Sequence, residues 1–312
     1  MASARNRAGV RLRPLECPEC RHPCRLGRVP LRVGFIGLGN IGAPMARRMV
    51  SAFGADASVF DAVPAALAGF EKEAALAASP AAMGGDVEVV GVCVRDDADV
   101  HAVVDGESGL LRTMRDGVIA IHSTVRPSTV RDLAQIAAKQ GVALIDAAVS
   151  GGPDGAGKGA LTAMVGGDPI ALERARPMIA SYCSDIIHAG ATGAGMALKL
   201  CNNLVTYSEL SAAVEAYRLA DALGLDHEQL SAVMTNNGNL TPSMRQYVGF
   251  RRNGTDIMGK DAFLATQDAL VILGEKDLAL ALEAAAESGI AIPVTEQVRT
   301  RFERVIMEGL KS

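Results

Sequence analysis

The chain has 312 residues, 49% apolar and 21% charged, enough for two domains with their own cores and too apolar for a chain that stays disordered. Residues 1–32 hold eight Arg against two Glu, so the net charge of -4 divides into +6 there and -10 on the remainder. A body of -10 disfavours nucleic acid as the main partner, and the lack of an unbroken apolar run of about eighteen residues disfavours a membrane span.

Residues 1–30 are rich in Arg, Pro and Cys and have neither helical nor strand periodicity, as expected of a disordered basic extension. The alternative is a metal knuckle from Cys17, Cys20, His22 and Cys24, although zinc sites normally have a longer spacer between ligand pairs. Cys93, Cys183 and Cys201 are scattered singly, which is no disulfide framework and suits a reducing cytoplasm. No apolar stretch follows the N-terminal arginines, so a secretory signal is not expected.

From Leu31 the pattern alternates. Apolar runs of strand length at 31–36, 57–60, 87–94, 118–121 and 142–145 are separated by helix-like segments near 41–53, 64–77, 97–104 and 127–140. Strands at 161–165 and 184–187 flank a helix near 169–181 and extend the same sheet. This predicts an α/β domain over 31–191, a doubly wound parallel sheet with helices on both faces. From residue 192 onward only helical pattern remains, at 194–222, 227–235, 263–288 and 294–309, which predicts an all-α domain over 192–312. The segment 194–222 is apolar on more than one face, as expected of a helix buried between the subunits of a homodimer or homotetramer.

The first strand runs into Gly37-Leu38-Gly39-Asn40-Ile41-Gly42 at a helix start. Gly37 permits the tight turn, Gly39 lets the backbone approach a pyrophosphate, and Gly42 lets the helix pack on the strand. The helix N-terminus favours phosphate charge. The next strand ends at Asp61, 24 residues beyond Gly37, where a carboxylate can accept both ribose hydroxyls and repel a 2′-phosphate. A Rossmann-type site for NAD, with NADP the less favoured cofactor, is expected.

Five ordered motifs over residues 31–309 resemble the β-hydroxyacid dehydrogenases, the family of 3-hydroxyisobutyrate dehydrogenase and tartronate semialdehyde reductase. They are the glycine loop with Ala43-Pro44-Met45, Ser123-Thr124-Val125-Arg126-Pro127, Asp146-Ala147-Ala148-Val149-Ser150-Gly151-Gly152, the run from Gly193 to Asn203, and Lys276-Asp277-Leu278. The chain departs from the family pattern at Ile41 (usually Met), Ala148 (usually Pro), Ile121 (often Asp) and Arg95 (often Pro).

The resemblance implies a hydride transfer between a nicotinamide and a small 3-hydroxy acid or semialdehyde. It makes Lys199 the general acid, with Asn203 orienting substrate and Lys. It also puts Val94 and Thr124 beside the cofactor and brings Lys276 onto cofactor and substrate from the second domain. The residues agree. Ser150-Gly151-Gly152 follows a strand and leaves backbone N–H groups uncovered, as a nest for a carboxylate needs. Lys199 and Asn203 are four apart and share a helix face. Asp277 is left structural, since it could equally be a helix-start charge serving the dipole, and Arg95 or Arg245 could read a second substrate anion. Asn236-Asn237-Gly238-Asn239 is expected near the substrate pocket. An imine reductase or a non-catalytic nucleotide-binding scaffold would be the rival readings, and retention of Lys199 argues against both.

Overall fold

The computed structural model describes residues 31–310; the candidate knuckle of Cys17, Cys20, His22 and Cys24 lies outside them. In chain order the elements are β1 (Val33–Ile36), α1 (Gly42–Phe53), β2 (Ala57–Phe60), α2 (Pro64–Leu67), β3 (Ala75–Leu76), α3 (Pro80–Gly84), β4 (Val89–Val92) and α4 (Asp97–Val104). There follow β5 (Val118–Ile121), α5 (Pro127–Ala138), β6 (Ala143–Ser150), α6 (Gly152–Lys158), β7 (Leu161–Gly166), α7 (Pro169–Ile179) and β8 (Cys183–Gly190). The remainder is helical: α8 (Ala194–Ala222), α9 (His227–Asn236), α10 (Pro242–Met258), α11 (Lys260–Glu287) and α12 (Pro293–Met307).

The strands form one sheet in the order β3-β2-β1-β4-β5-β6-β7-β8. Strand order reverses between β1 and β4, which opens a crevice beyond their carboxyl ends. Val33 and Phe35 face the core under α1 and α7, whereas Ile36, Val90 and Val92 face a second core under α4 and α5. Burial on both faces explains why these strands read as unbroken apolar runs.

All neighbours are parallel except β6 and β7, which pair antiparallel from Asp146↔Gly166 to Ser150↔Thr162. This departs from the all-parallel expectation. The link from Gly151 to Ala160 contains only the short α6, and a parallel return needs a crossover of about a dozen residues or more. The helix expected over 64–77 is also corrected. Only Pro64–Leu67 is helical; Gly69 breaks the run and its carbonyl accepts Arg47 Nη1 at 3.1 Å, while the Arg47 guanidinium lies over the Phe70 ring.

In the helical part, Tyr207, Leu210 and Val214 of α8 pack against Val271 and Leu278 of α11 and Phe302, Val305 and Ile306 of α12. The sequence reading missed α10, which buries only Met244 and Gly254 and so has little apolar periodicity. Its capping signal was present, with Pro242 in the first turn and Thr241 Oγ1 accepting the Met244 N–H at 3.2 Å. Within this single chain α8 is not buried all round: Leu198, Val205 and Leu219 stay exposed. Among the described residues, no helix is long and apolar enough to cross a membrane.

Candidate active site

The crevice begins at the glycine loop. Gly37 has φ +93°, and a Cβ there would run into the Cys93 carbonyl oxygen; one at Gly42 would run into the Gly37 carbonyl oxygen. Both close contacts bind the loop to its own strands. Gly39 differs, because a Cβ there would meet nothing within 4 Å. Asn40 is exposed and Ile41 caps α1 with its backbone. The open side above Gly39 leaves its backbone free for the close approach of a phosphate, so the residues present fit a dinucleotide.

Asp61 ends the next strand, and its Oδ2 accepts the Leu38 N–H at 2.6 Å while Oδ1 accepts the Val63 N–H at 2.8 Å. Each oxygen keeps a lone pair for a ribose hydroxyl. The sequence suggested the ribose role but not this second one, in which Asp61 fixes the loop itself.

Beyond β4, the Val94 N–H donates to Ser123 Oγ at 2.8 Å, which ties the second motif to the carboxyl end of β4. His122 is buried just before it. Its ring accepts the Tyr182 hydroxyl at 2.9 Å on Nε2 and donates to the Ala147 carbonyl at 2.7 Å from Nδ1. Burial pulls its pKa down to about 4, so the neutral tautomer holds β5 against β6.

Thr124 then meets the helical part: its carbonyl accepts Lys276 Nζ at 2.7 Å. Lys276 also stands 2.9 Å from Asp277 Oδ1, an ionic contact without hydrogen-bond geometry. Asp277 Oδ2 accepts Asn203 Nδ2 at 2.7 Å and the Tyr207 hydroxyl at 3.1 Å. Asn202 Nδ2 donates to Asn203 Oδ1 at 3.2 Å. The helix-start reading of Asp277 is thus wrong. It sits in the middle of α11, 2% exposed, as the acceptor around which Asn203, Tyr207 and Lys276 are arranged.

Lys199 joins this cluster from α8, 8% exposed and, among the described residues, without a hydrogen-bond partner for its Nζ. Burial draws its pKa down to about 8; Lys276 pushes the same way and Asp277 opposes. The start of α8 is set by Asp146, whose Oδ1 accepts the Gly193 N–H and Oδ2 the Met196 N–H, both at 2.7 Å. Burial raises the Asp146 carboxyl and these amides pull it back. The third and fourth motifs are joined by that carboxylate, a link that only its place ahead of Ser150-Gly151-Gly152 hints at in the sequence. Gly151 and Gly152 have φ +130° and +66°, backbone that side-chain-bearing residues rarely adopt.

Other expectations do not come together at the site. Arg95 is exposed, lies just before α4 and pairs at 2.7 Å with Asp99 in that helix's first turn. Arg245 lines a cavity with Glu228, Ser231, Thr235 and Asn236. The neighbouring Leu240 and Met244 pack on Ala213, fourteen residues along α8 from Lys199, or roughly 21 Å at 1.5 Å per residue. Neither Arg245 nor the stretch 236–239 stands beside Lys199.

A glycine loop at the switch point of a Rossmann-type sheet, in a chain whose helical part carries a Lys only 8% exposed, is the arrangement of a nicotinamide-dependent oxidoreductase. Comparison with known proteins agrees. Residues 32–190 match the family model described as the NAD binding domain of 6-phosphogluconate dehydrogenase, and 193–312 that described as NAD-binding of NADP-dependent 3-hydroxyisobutyrate dehydrogenase. The NAD-dependent L-serine dehydrogenase of Pseudomonas aeruginosa is 33% identical over 89% of this chain and 93% of its own length. The 3-hydroxyisobutyrate dehydrogenase of the same organism is 37% identical over 66% of this chain and 70% of its own. The solved Mycobacterium tuberculosis 3-hydroxyisobutyrate dehydrogenase with L-serine superposes with a TM-score of 0.70 at 28% identity, covering 88% of this chain and 94% of that one. The chain belongs to the 3-hydroxyisobutyrate dehydrogenase family of oxidoreductases.

Proposed function

We propose that the protein is an NAD-dependent dehydrogenase that interconverts a small 3-hydroxy acid and its semialdehyde or ketone, with Lys199 as general acid and base. The observation that carries this is Lys199 itself: a Lys only 8% exposed, drawn to about pKa 8 by burial and within Coulomb reach of Asp277. A group with a pKa near the working pH gives and takes protons most effectively.

A bound nicotinamide supplies or accepts the hydride. In reduction, the Lys199 ammonium donates to the carbonyl oxygen as negative charge develops there; in oxidation, the neutral amine takes the hydroxyl proton. Asn203 spends one amide hydrogen on Asp277 and keeps the other for the substrate oxygen. Ser150, Gly151 and Gly152 receive the substrate carboxylate on backbone N–H groups. With both lysines protonated, Lys199, Lys276 and Asp277 leave one net positive charge, which suits a monoanionic substrate. Thr124 and Val94 border the nicotinamide end.

Asp61 supports NAD over NADP, since Ala62, Val63 and Pro64 bring no cation for a 2′-phosphate. Residues 31–191 are read as the cofactor domain and 192–312 as the substrate and dimerisation domain. The exposed Leu198, Val205 and Leu219 of α8 support at least a dimer. The relatives named for L-serine and 3-hydroxyisobutyrate support the substrate class, because both compounds are 3-hydroxy acids.

A panel of 3-hydroxy acids and semialdehydes, followed by NADH absorbance, tests the reading. At least one member should turn over with NAD preferred. Oxidation should rise and reduction should fall as pH passes about 8, the pKa of Lys199. Failure of the whole panel with both cofactors would reject it.

A further inference from the structure

The segment from Ser123 to Pro127 carries a residue the chemistry above does not use. Arg126 Nε donates to Glu283 Oε2 at 2.8 Å and Nη2 to Oε1 at 3.3 Å, a two-pronged pair between α5 and α11 that spans 157 residues of sequence. The same guanidinium has its Nη1 3.3 Å from Asp97 Oδ2, and the Arg126 N–H donates to Asp97 Oδ1 at 3.1 Å. Thr129 Oγ1 also donates to that oxygen at 2.5 Å. Glu283 foremost, through its hydrogen bonds, and then the charges of Asp97 and Glu287 hold the guanidinium protonated.

Glu283 follows Lys276 by seven residues, two turns of α11, so the two share a helix face. Both reach back to the same three residues: Lys276 to the Thr124 carbonyl and Glu283 to Arg126. The Lys276 contact is one hydrogen bond from a rotatable ammonium, whereas the planar Arg–carboxylate fork fixes direction as well as distance. The next residue of α11, Asp277, holds Asn203 and acts on Lys199. The angle at which α11 meets Thr124–Arg126 therefore sets the spacing between the cofactor edge and the reacting cluster.

We propose that Arg126 is a positioning residue, the cationic half of an ionic clasp to Glu283 that holds α11 closed over the crevice in the orientation binding requires. The role rests on the substrate reading above. Loss of the clasp lowers the fraction of molecules in the closed arrangement, and apparent affinity falls by that fraction. Bound substrate restores closure, so turnover at saturation changes little.

The test uses the full chain with Arg126→Ala, Glu283→Gln, the double variant and Arg126→Lys. Amide hydrogen exchange without ligand should quicken in residues 122–127 and 276–287 of the first three, with α1 and β1 unchanged. With the best hydroxy acid of the panel, KM should rise about three- to fivefold, the upper scale for a half-exposed ion pair, while kcat stays within about twofold. The double variant should be no worse than either single one, as two halves of one contact require. Arg126→Lys should recover part of the loss. Salt raised from about 0.05 to about 0.5 M should increase KM by a larger factor in the wild type than in the double variant, where only the attraction of the site for the substrate anion is left to screen. Unaltered exchange in those two stretches, a KM within about twofold of wild type, or losses that add in the double variant would each overturn the clasp. If the wild type turns over no hydroxy acid, the substrate reading falls while the exchange experiment still decides the clasp.

Discussion

Asp61 and Asp277 are both carboxylates that organise one end of the crevice, and they do so in different ways. Asp61 is half-buried and accepts two backbone N–H groups within 23 residues of itself in sequence. Asp277 is buried and is served by side chains, Asn203 and Tyr207 from 74 and 70 residues away and Lys276 from the adjacent position. The cofactor end is thus assembled from main chain and glycine, where geometry is settled by local φ values and by strand-to-strand contact. The reacting end is assembled from charges held in a low-dielectric place, where each depends on the others. A substitution in the first region should act through shape and one in the second through charge.

Lys199→Ala breaks the second region at its centre. It should lower kcat by about 10²–10⁴-fold, the usual contribution of a positioned acid or base, and abolish the pH dependence near 8. NADH affinity, measured by fluorescence, should stay within a few-fold, because the glycine loop and Asp61 lie at the other end. Near-wild-type kcat would remove Lys199 from the chemistry.

Asp277→Asn leaves two lysines close together without their anion and should cost about 3–5 kcal/mol of stability, the scale for breaking a buried ion pair. Because Asp277 raises the Lys199 pKa, the variant's reduction activity should also begin to fall at lower pH than in the wild type. Denaturant unfolding and a pH–rate profile read the two effects separately.

Asp61→Ser should reduce the preference for NAD over NADP in kcat/KM by about 2–3 kcal/mol, the scale for losing a hydrogen bond to a charged group together with the repulsion of a 2′-phosphate. The Leu38 N–H loses its acceptor in the same change, so affinity for both dinucleotides should fall as well. A wild type that already prefers NADPH would contradict the assignment.

Gly39→Ala sharpens the contrast by separating binding from folding. Its Cβ enters open space, so the melting temperature should hold while the NADH dissociation constant rises about tenfold, or about 1.4 kcal/mol, as the methyl group occupies the phosphates' approach. Gly37→Ala, by contrast, should unfold the loop, since its Cβ meets backbone and its φ is +93°.

The smallest effect belongs to His122. Its folded pKa of about 4 lies below the ordinary 6.5, so the unfolded chain binds more protons between those values. Its contribution is present above pH 6.5 and is lost as pH falls toward 4. At pH 5.5 the loss should be about 1 kcal/mol relative to pH 7, and His122→Gln should not show that part of the acid slope.

The sheet was legible because its strands alternate with helices and carry their own punctuation. The runs 57–60 and 118–121 coincide with β2 and β5, and Asp97–Val104 and Ala194–Ala222 coincide with the predicted segments. The errors came where periodicity fails: in 64–77 Gly69 ends the helix after Leu67 and only Phe70 is buried, and α10 has a cap but few buried positions. The candidate site divides in the same way. Gly37, Gly39, Gly42 and Asp61 follow from spacing after a strand, and Lys199 and Asn203 from helical spacing combined with family likeness. Asp277 was misread, because a lone carboxylate in a helix looks the same in sequence whether it faces solvent or gathers an amide, a phenol and an ammonium.

What the sequence determined by itself is local in origin: which segments extend, which coil, and where the main chain must turn through glycine, since φ, ψ and periodicity act over a few residues. The tertiary structure decided the rest. The turn from β6 into an antiparallel β7, the docking of Lys276 on the Thr124 carbonyl, the Arg126–Glu283 pair and the fall of Lys199 to about pKa 8 all depend on groups brought together from distant parts of the chain. Burial and Coulomb interaction act through space, and their strength is set by separation and solvent exclusion, neither of which exists until the helical part closes on the sheet.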